Sequence, residues 1–140
     1  MTAPFTFALN TSTIRCGQIT LEEKIEVASQ AGFDGIEPWV SEIDAYVKGG
    51  GRLRDLARRF RAGGLNVVNL IGFFEWAAPD EALRKKGLAE ARRCFELAER
   101  LDCRNVAAPP WGIHTTPGLN LFEIAERYAK VIDLGRDYGV

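Results

Sequence analysis

Apolar residues in this chain follow two alternating patterns: short unbroken runs, and longer stretches with apolar positions three and four residues apart. The runs read as buried strands and the spaced stretches as amphipathic helices. Phe5 to Leu9 is the first run and passes into Asn10-Thr11-Ser12, a loop signal. Thr20, with Glu23 three residues on, forms a capping box, and Leu21, Ile25, Ala28 and Ala31 make an apolar stripe that stops at Gly32. A very short strand follows around Ile36, within Gly32-Phe33-Asp34-Gly35-Ile36-Glu37-Pro38-Trp39. The second helix carries Leu53, Leu56, Ala57 and Phe60 and ends at Gly63-Gly64. Leu65 to Ile71 is the clearest strand. A long third helix runs from about Asp80 to Leu101, with Leu88, Ala91, Cys94, Ala98 and Leu101 on one face. Asn105 to Ala108 is a fourth strand, stopped by Pro109-Pro110. Asn120 and Glu123 then cap a fourth helix bearing Ile124, Tyr128, Val131 and Ile132.

The junctions repeat as well. Gly32-Phe33 precedes Ile36, Gly64-Leu65 precedes Val68, and Asp102-Cys103 precedes Val106 at the same interval. Strand–helix alternation of this kind implies parallel strands joined by right-handed crossovers. An open dinucleotide-binding sheet needs a glycine-rich first turn, and Asn10-Thr11-Ser12-Thr13-Ile14 offers none. Gly49-Gly50-Gly51 follows a loop rather than a strand and reads as a flexible hinge. The expected fold is α/β: a (β/α)₈ TIM barrel of which only the first four βα units are present. Residues 1–140 are read as one domain, the N-terminal half of that barrel. Tyr138-Gly139-Val140 repeats the junction pattern, so a fifth strand is expected beyond it.

Composition narrows the partners. With 18 Lys+Arg against 19 Asp+Glu, the net charge of −1 gives no electrostatic reason to expect nucleic acid or an anionic membrane. No run approaches the ~18 apolar residues of a membrane span. Met1 to Ile14 lacks the basic and apolar regions of a secretory signal. Cys16, Cys94 and Cys103 show no metal-ligand spacing and read as reduced thiols, so a cytoplasmic location is expected. Cys94, on an apolar helix face, reads as core packing.

The stretches Ala31-Gly32-Phe33-Asp34-Gly35-Ile36-Glu37 and Val106-Ala107-Ala108-Pro109-Pro110 carry a resemblance. The chain resembles the N-terminal half of the xylose-isomerase-like barrels, the sugar phosphate isomerase/epimerase superfamily. That group includes isomerases, epimerases and inosose dehydratases, with AP endonucleases as distant relatives. The resemblance implies a sugar isomerase/epimerase-type enzyme that moves a proton next to a carbonyl with metal assistance. An inosose-dehydratase-like lyase and a non-catalytic half-barrel assembly module are the alternatives. The resemblance also implies a divalent metal (Mn, Mg or Zn) for the full barrel, with ligands and bases on strands five to eight. No metal and no catalytic residue is therefore assigned to this chain, which alone is expected to be inactive. Its expected partners are a small carbohydrate or polyol substrate and either further copies of itself or a C-terminal half.

Barrel enzymes act at the C-terminal ends of their strands. Trp39, Trp76 and Trp111 follow strands two, three and four, and His114 lies in the last of these loops. Aromatic walls suit the apolar C–H face of a sugar ring. If Ile36 packs outward, strand alternation aims Glu37 into the barrel, where its carboxylate must be paired or hydrogen-bonded. Glu37, Trp39, Trp76, Trp111 and His114 are thus the candidate substrate-binding residues, expected on one concave face. Gly72-Phe73-Phe74-Glu75-Trp76 is too apolar for a solvated loop and reads as a lid or a subunit contact. In the AP endonucleases, histidine ligands come from strands three and four; here Asn69, Gly72 and Glu75 stand near strand three. Arg52, Arg54, Arg58, Arg59 and Arg61 alternate with apolar residues at helical spacing and read as a solvated outer face, as does Arg84-Lys85-Lys86.

Overall fold

The computed structural model describes residues 5–15 and 17–140. Cys16, one of the three cysteines read as reduced thiols, lies outside the described residues; Cys94 and Cys103 are buried free thiols. Among the described residues there are five short strands and five helices, in the order β1 (Ala8–Asn10), α1 (Leu21–Gln30), β2 (Gly35–Glu37), α2 (Val40–Lys48), α3 (Leu53–Ala62), β3 (Asn66–Val67), β4 (Leu70–Ile71), α4 (Glu81–Arg100), β5 (Val106–Ala107) and α5 (Leu121–Arg136). A single turn of 3-10 helix, Thr11–Ile14, follows β1.

All pairings are parallel and the strands run in sequence order, as the repeat requires. They form two hydrogen-bonded groups rather than one continuous sheet: β1-β2-β3 and β4-β5. The division falls inside the third apolar run. Its first half pairs with β2, and its second half pairs with β5 after Val68-Asn69. The handover is stitched by Val68 N–H donating to Ile36 O at 3.1 Å and Leu70 N–H to Asn105 O at 3.0 Å. Staggered strands of this sort belong to a barrel wall, where each strand is offset along its neighbour.

Leu9, Ile36 and Val67 lie in one register row and are all buried. They pack beneath the helices with Leu21, Ile25 and Ala28 of α1, Leu56 and Phe60 of α3, and Ala91, Cys94 and Ala98 of α4. The arginines of α3 face outward, as its spacing implied, while Leu56, Ala57 and Phe60 are buried. Burying side chains of this size is worth roughly 1.5–3 kcal/mol each before entropy is counted. The first strand begins later than the apolar run suggested, because Phe5 and Phe7 are exposed and the backbone first enters the ladder at Phe7 O, which accepts from Asp34 and Gly35 N–H.

Each helix-to-strand junction turns through one left-handed residue. Gly32 and Gly64 take this conformation, and at the equivalent place Asp102 takes it with φ 56°; Gly139 takes it after α5. Aspartate is among the few residues with a side chain that tolerate such a turn. The repeat is thus a repeat of backbone geometry.

Two features depart from the sequence reading. Val40–Lys48 is a helix, and Gly49-Gly50-Gly51 is its C-terminal turn rather than a hinge, held by N–H donation from all three to the carbonyls of residues 45–47. The run Gly72 to Trp76 is not a lid, since Phe74 and Trp76 are sunk in the core and only Phe73 is exposed. The close approach that seats this segment is made at Gly87 of α4, where a Cβ would lie 2.6 Å from the carbonyl carbon of Glu75. No helix among the described residues is long and apolar enough to cross a membrane.

Candidate functional site

One step beyond the buried row, Asn10 and Glu37 stand side by side in register at the ends of β1 and β2. Alternation turns them away from the helices, toward the inside of the barrel. The Glu37 carboxylate is held between two amides: Asn10 Nδ2 donates to Oε2 at 2.5 Å, and Asn69 Nδ2 to Oε1 at 2.5 Å. Three neighbouring strand segments therefore supply one residue each. A carboxylate has about four lone-pair positions, so the two amides leave acceptor capacity facing the barrel interior.

The loops behind this triad are locked by a buried ion pair. Lys24, only 5% exposed, places Nζ 2.5 Å from Glu42 Oε1 and 3.1 Å from Thr11 O. The second oxygen of Glu42 accepts from Thr11 Oγ1 at 2.5 Å and from Trp39 N–H at 2.9 Å. The last bond is half of a capping box at the start of α2, with Glu42 at the third helical position. One acidic side chain thereby fixes the residue after Asn10 and the residue two places after Glu37. A buried lysine is tolerated because its charge meets a carboxylate and a backbone carbonyl at hydrogen-bond distance.

Above the triad runs a row of stacked side chains. The Arg15 guanidinium lies 4.3 Å over the Trp39 ring. Trp39 meets Phe73 at 4.9 Å between centroids, Phe73 meets Trp111 edge-on at 5.2 Å, and Trp111 stacks on His114 at 5.4 Å. These residues come from the loops after β1, β2, β4 and β5, so the row follows the rim at the C-terminal ends of the strands. Trp39 also extends the strand line, forming an isolated parallel bridge to Ile71. Its indole Nε1 is buried without a partner among the described residues.

Of the candidate residues, the structure brings together Trp39, Trp111 and His114 along the rim, with Glu37 on the inward face at the strand end two residues before Trp39. Trp76 lies elsewhere: it is buried, tilts against Tyr128, and donates Nε1–H to Ala108 O and Pro109 O at 3.1 Å each. It ties the loop after β4 to the loop after β5 from behind. Asn10, Asn69, Arg15 and Phe73 were not among the candidate substrate-binding residues, although Phe73 belongs to the run read as a lid. A signal existed for the two asparagines, since each sits at the end of an apolar strand run where a polar residue needs a partner. Nothing in the sequence marks Arg15.

A divalent ion asks for several carboxylate, imidazole or thiolate groups around one point. Among the described residues no three His, Cys, Asp or Glu side chains are so placed. Glu37 is engaged with amides and His114 with an indole, and the two thiols are buried in the core. Burial pushes the Cys94 thiol up to about 12, with the Glu90 carboxylate adding to it, and burial also raises Cys103. These residues do not form a metal centre by themselves.

Fold and rim together define a barrel wall with a polar, aromatic-edged mouth. Residues 25–140 match the family described as xylose isomerase-like TIM barrel, and the chain belongs to that family. It is 31% identical over 116 residues to a 3-dehydroshikimate dehydratase from Pseudomonas aeruginosa, an alignment covering 79% of this chain and 18% of the relative. A solved structure of the IOLI protein with a binding zinc atom superposes with a TM-score of 0.84 at 22% identity, over 97% of this chain and 49% of that one. D-psicose 3-epimerase in the presence of D-fructose gives 0.77 at 19% identity, over 97% and 50%. The chain thus spans about half the length of these solved structures, and less than a fifth of the curated relative. It has the fold of a half-barrel.

Proposed function

We infer that this chain forms the substrate-holding side of the mouth of an enzyme that removes a proton next to a carbonyl in a small polyhydroxylated molecule. The reading is that of a sugar isomerase or epimerase, and it rests on the Glu37 carboxylate, held by Asn10 and Asn69 and aimed into the barrel. With its remaining lone pairs Glu37 accepts hydrogen bonds from substrate hydroxyls and fixes how far the sugar enters. Trp39, Phe73 and Trp111 cover the apolar C–H edges of the ring and exclude water from one side. His114, on the open end of the row, is a hydrogen-bonding group for a substrate oxygen. The proton-transferring carboxylates, and the ligands of the divalent ion expected for the whole barrel, lie outside these residues. The 140-residue chain alone is therefore expected to bind weakly and to turn nothing over.

Dehydration of a cyclic polyol is the second reading, favoured by the match to the dehydratase. Both reactions begin with loss of the proton next to the carbonyl. In isomerisation the resulting ene-diolate is reprotonated at the adjacent carbon. In dehydration the electron pair instead expels a hydroxyl on the next carbon as water.

The test uses the whole barrel with added divalent ion in deuterated water, offered D-fructose, D-psicose or 3-dehydroshikimate. Exchange of the proton beside the carbonyl reports the shared step, and loss of water picks out the dehydratase. Replacing Glu37 by Gln should lower kcat/KM about 10- to 100-fold, the worth of a hydrogen bond to a charged group. Absence of exchange with every substrate, or full activity in the Glu37 variant, would overturn the reading.

A further inference from the structure

Away from the mouth, a cavity of about 200 Å³ opens between α4 and α5 on the outer wall. Four cationic side chains line it, Arg84 and Lys85 from α4 and Arg127 and Lys130 from α5, against a single carboxylate, Glu81. Trp76 and Leu88 form its apolar wall. Sequence alone put Arg84-Lys85-Lys86 on a solvated face, yet Arg84 is half-buried.

The two arginines are already oriented. Arg84 Nη1 donates to Ala78 O at 2.8 Å and Pro79 O at 2.6 Å. Arg127 Nη1 donates to Ala77 O at 2.9 Å and Ala78 O at 3.4 Å, while its Nη2 reaches Glu123 at 3.2 Å. One backbone turn, residues 77–79, thus holds both guanidiniums and leaves N–H groups of each unspent, since a guanidinium has five. Lys85 and Lys130 are exposed and have no carboxylate within ion-pair distance among the described residues. The two unpaired lysines, one from each helix, add to the unspent guanidinium donors and leave a local positive potential that an anion would relieve.

We propose that this cavity is a binding site for a small phosphate ester, separate from the barrel mouth. The donors come from two helices that flank the cavity, which suits a tetrahedral dianion with oxygens on every side; a carboxylate offers one planar edge. The Trp76–Leu88 wall accommodates the ester's organic part. Trp76 also links this cavity to the rim, since its indole holds Ala108 O and Pro109 O, just ahead of Trp111. Occupancy is therefore placed to be felt at the mouth.

Calorimetric titration of the full chain at fixed ionic strength tests this, with inorganic phosphate, phenyl phosphate and citrate as probes. Phenyl phosphate should bind more tightly than inorganic phosphate, and both more tightly than citrate. The paired substitutions Lys85→Glu and Lys130→Glu touch exposed side chains and should weaken phenyl phosphate at least tenfold with unchanged circular dichroism. Lys48→Glu with Lys86→Glu makes the same change in net charge elsewhere and should leave binding intact. Equal loss in both pairs would mean an adventitious ion only. That result, tighter binding of citrate, or no heat with phenyl phosphate up to about 10 mM would each overturn the proposal; none bears on the mouth.

Discussion

The two faces of the strand layer are built on opposite rules. Toward the helices, Leu9, Ile36, Val67 and Leu70 are buried against apolar partners, and Lys24 is sunk there with its charge on the Glu42 carboxylate and Thr11 O. Toward the barrel interior, Asn10, Glu37 and Asn69 answer one another with hydrogen bonds, and Val68 lies exposed. The comparison separates what holds the chain together from what it presents. Apolar burial supplies the free energy of folding and tolerates no loose polar group. The inward face contributes less to stability, so its residues are free to be chosen for chemistry.

The sharpest way to break that division is to strand a charge in the dry layer. Lys24→Met leaves the Glu42 carboxylate facing an apolar chain. Chemical denaturation should show a loss of about 3 kcal/mol, the low end for breaking a buried pair, because Thr11 and Trp39 still donate to Glu42. A loss under about 1 kcal/mol would mean that the pair is merely tolerated.

Alkali probes the same layer without mutation. The Cys94 thiol is raised in the folded chain to about 12 from an ordinary value near 9.0. The folded state therefore holds its proton more tightly than the unfolded state does. The contribution is complete below pH 9 and drains away as pH climbs toward 12, so stability should fall across that window. Cys94→Ala should flatten the slope, at the cost of a small cavity. Thiol reagents at pH 8 should leave Cys94 unlabelled until the chain unfolds.

Gly87→Ala sharpens the contrast between helix preference and packing. Alanine is the better helix former by roughly 1 kcal/mol, yet its Cβ would press on the backbone at Glu75. Packing should win, with a net loss of about 1–2 kcal/mol in thermal or chemical unfolding. A stabilised variant would show that the 75–76 backbone yields.

Glu37→Gln should move stability least, by about 1 kcal/mol. One of its two amide partners loses an acceptor, and water reaches the half-buried site to replace it. A loss as large as that of Lys24→Met would place Glu37 with the scaffold and remove it from the substrate.

Local rules determined the repeat. Capping boxes, stripes of apolar residues and a left-handed turn between helix and following strand are interactions among near neighbours, so four βα units and the inward turn of Glu37 were legible in the chain itself. The helix Val40–Lys48 was concealed by its N-cap, Trp39, which offers no side-chain cap, and by Glu42, which is also committed to a lysine from another helix. Only the tertiary structure decided that the third apolar run hands over from one partner strand to the next, because that offset belongs to the barrel wall and not to any one segment. It alone joined Asn10, Glu37 and Asn69, since residues 27 and 32 positions apart meet only where parallel strands set their ends level. It also parted Trp76 from the other tryptophans. All three follow strands in sequence, but the side on which each ring falls is set by what remains unfilled once the helices have packed.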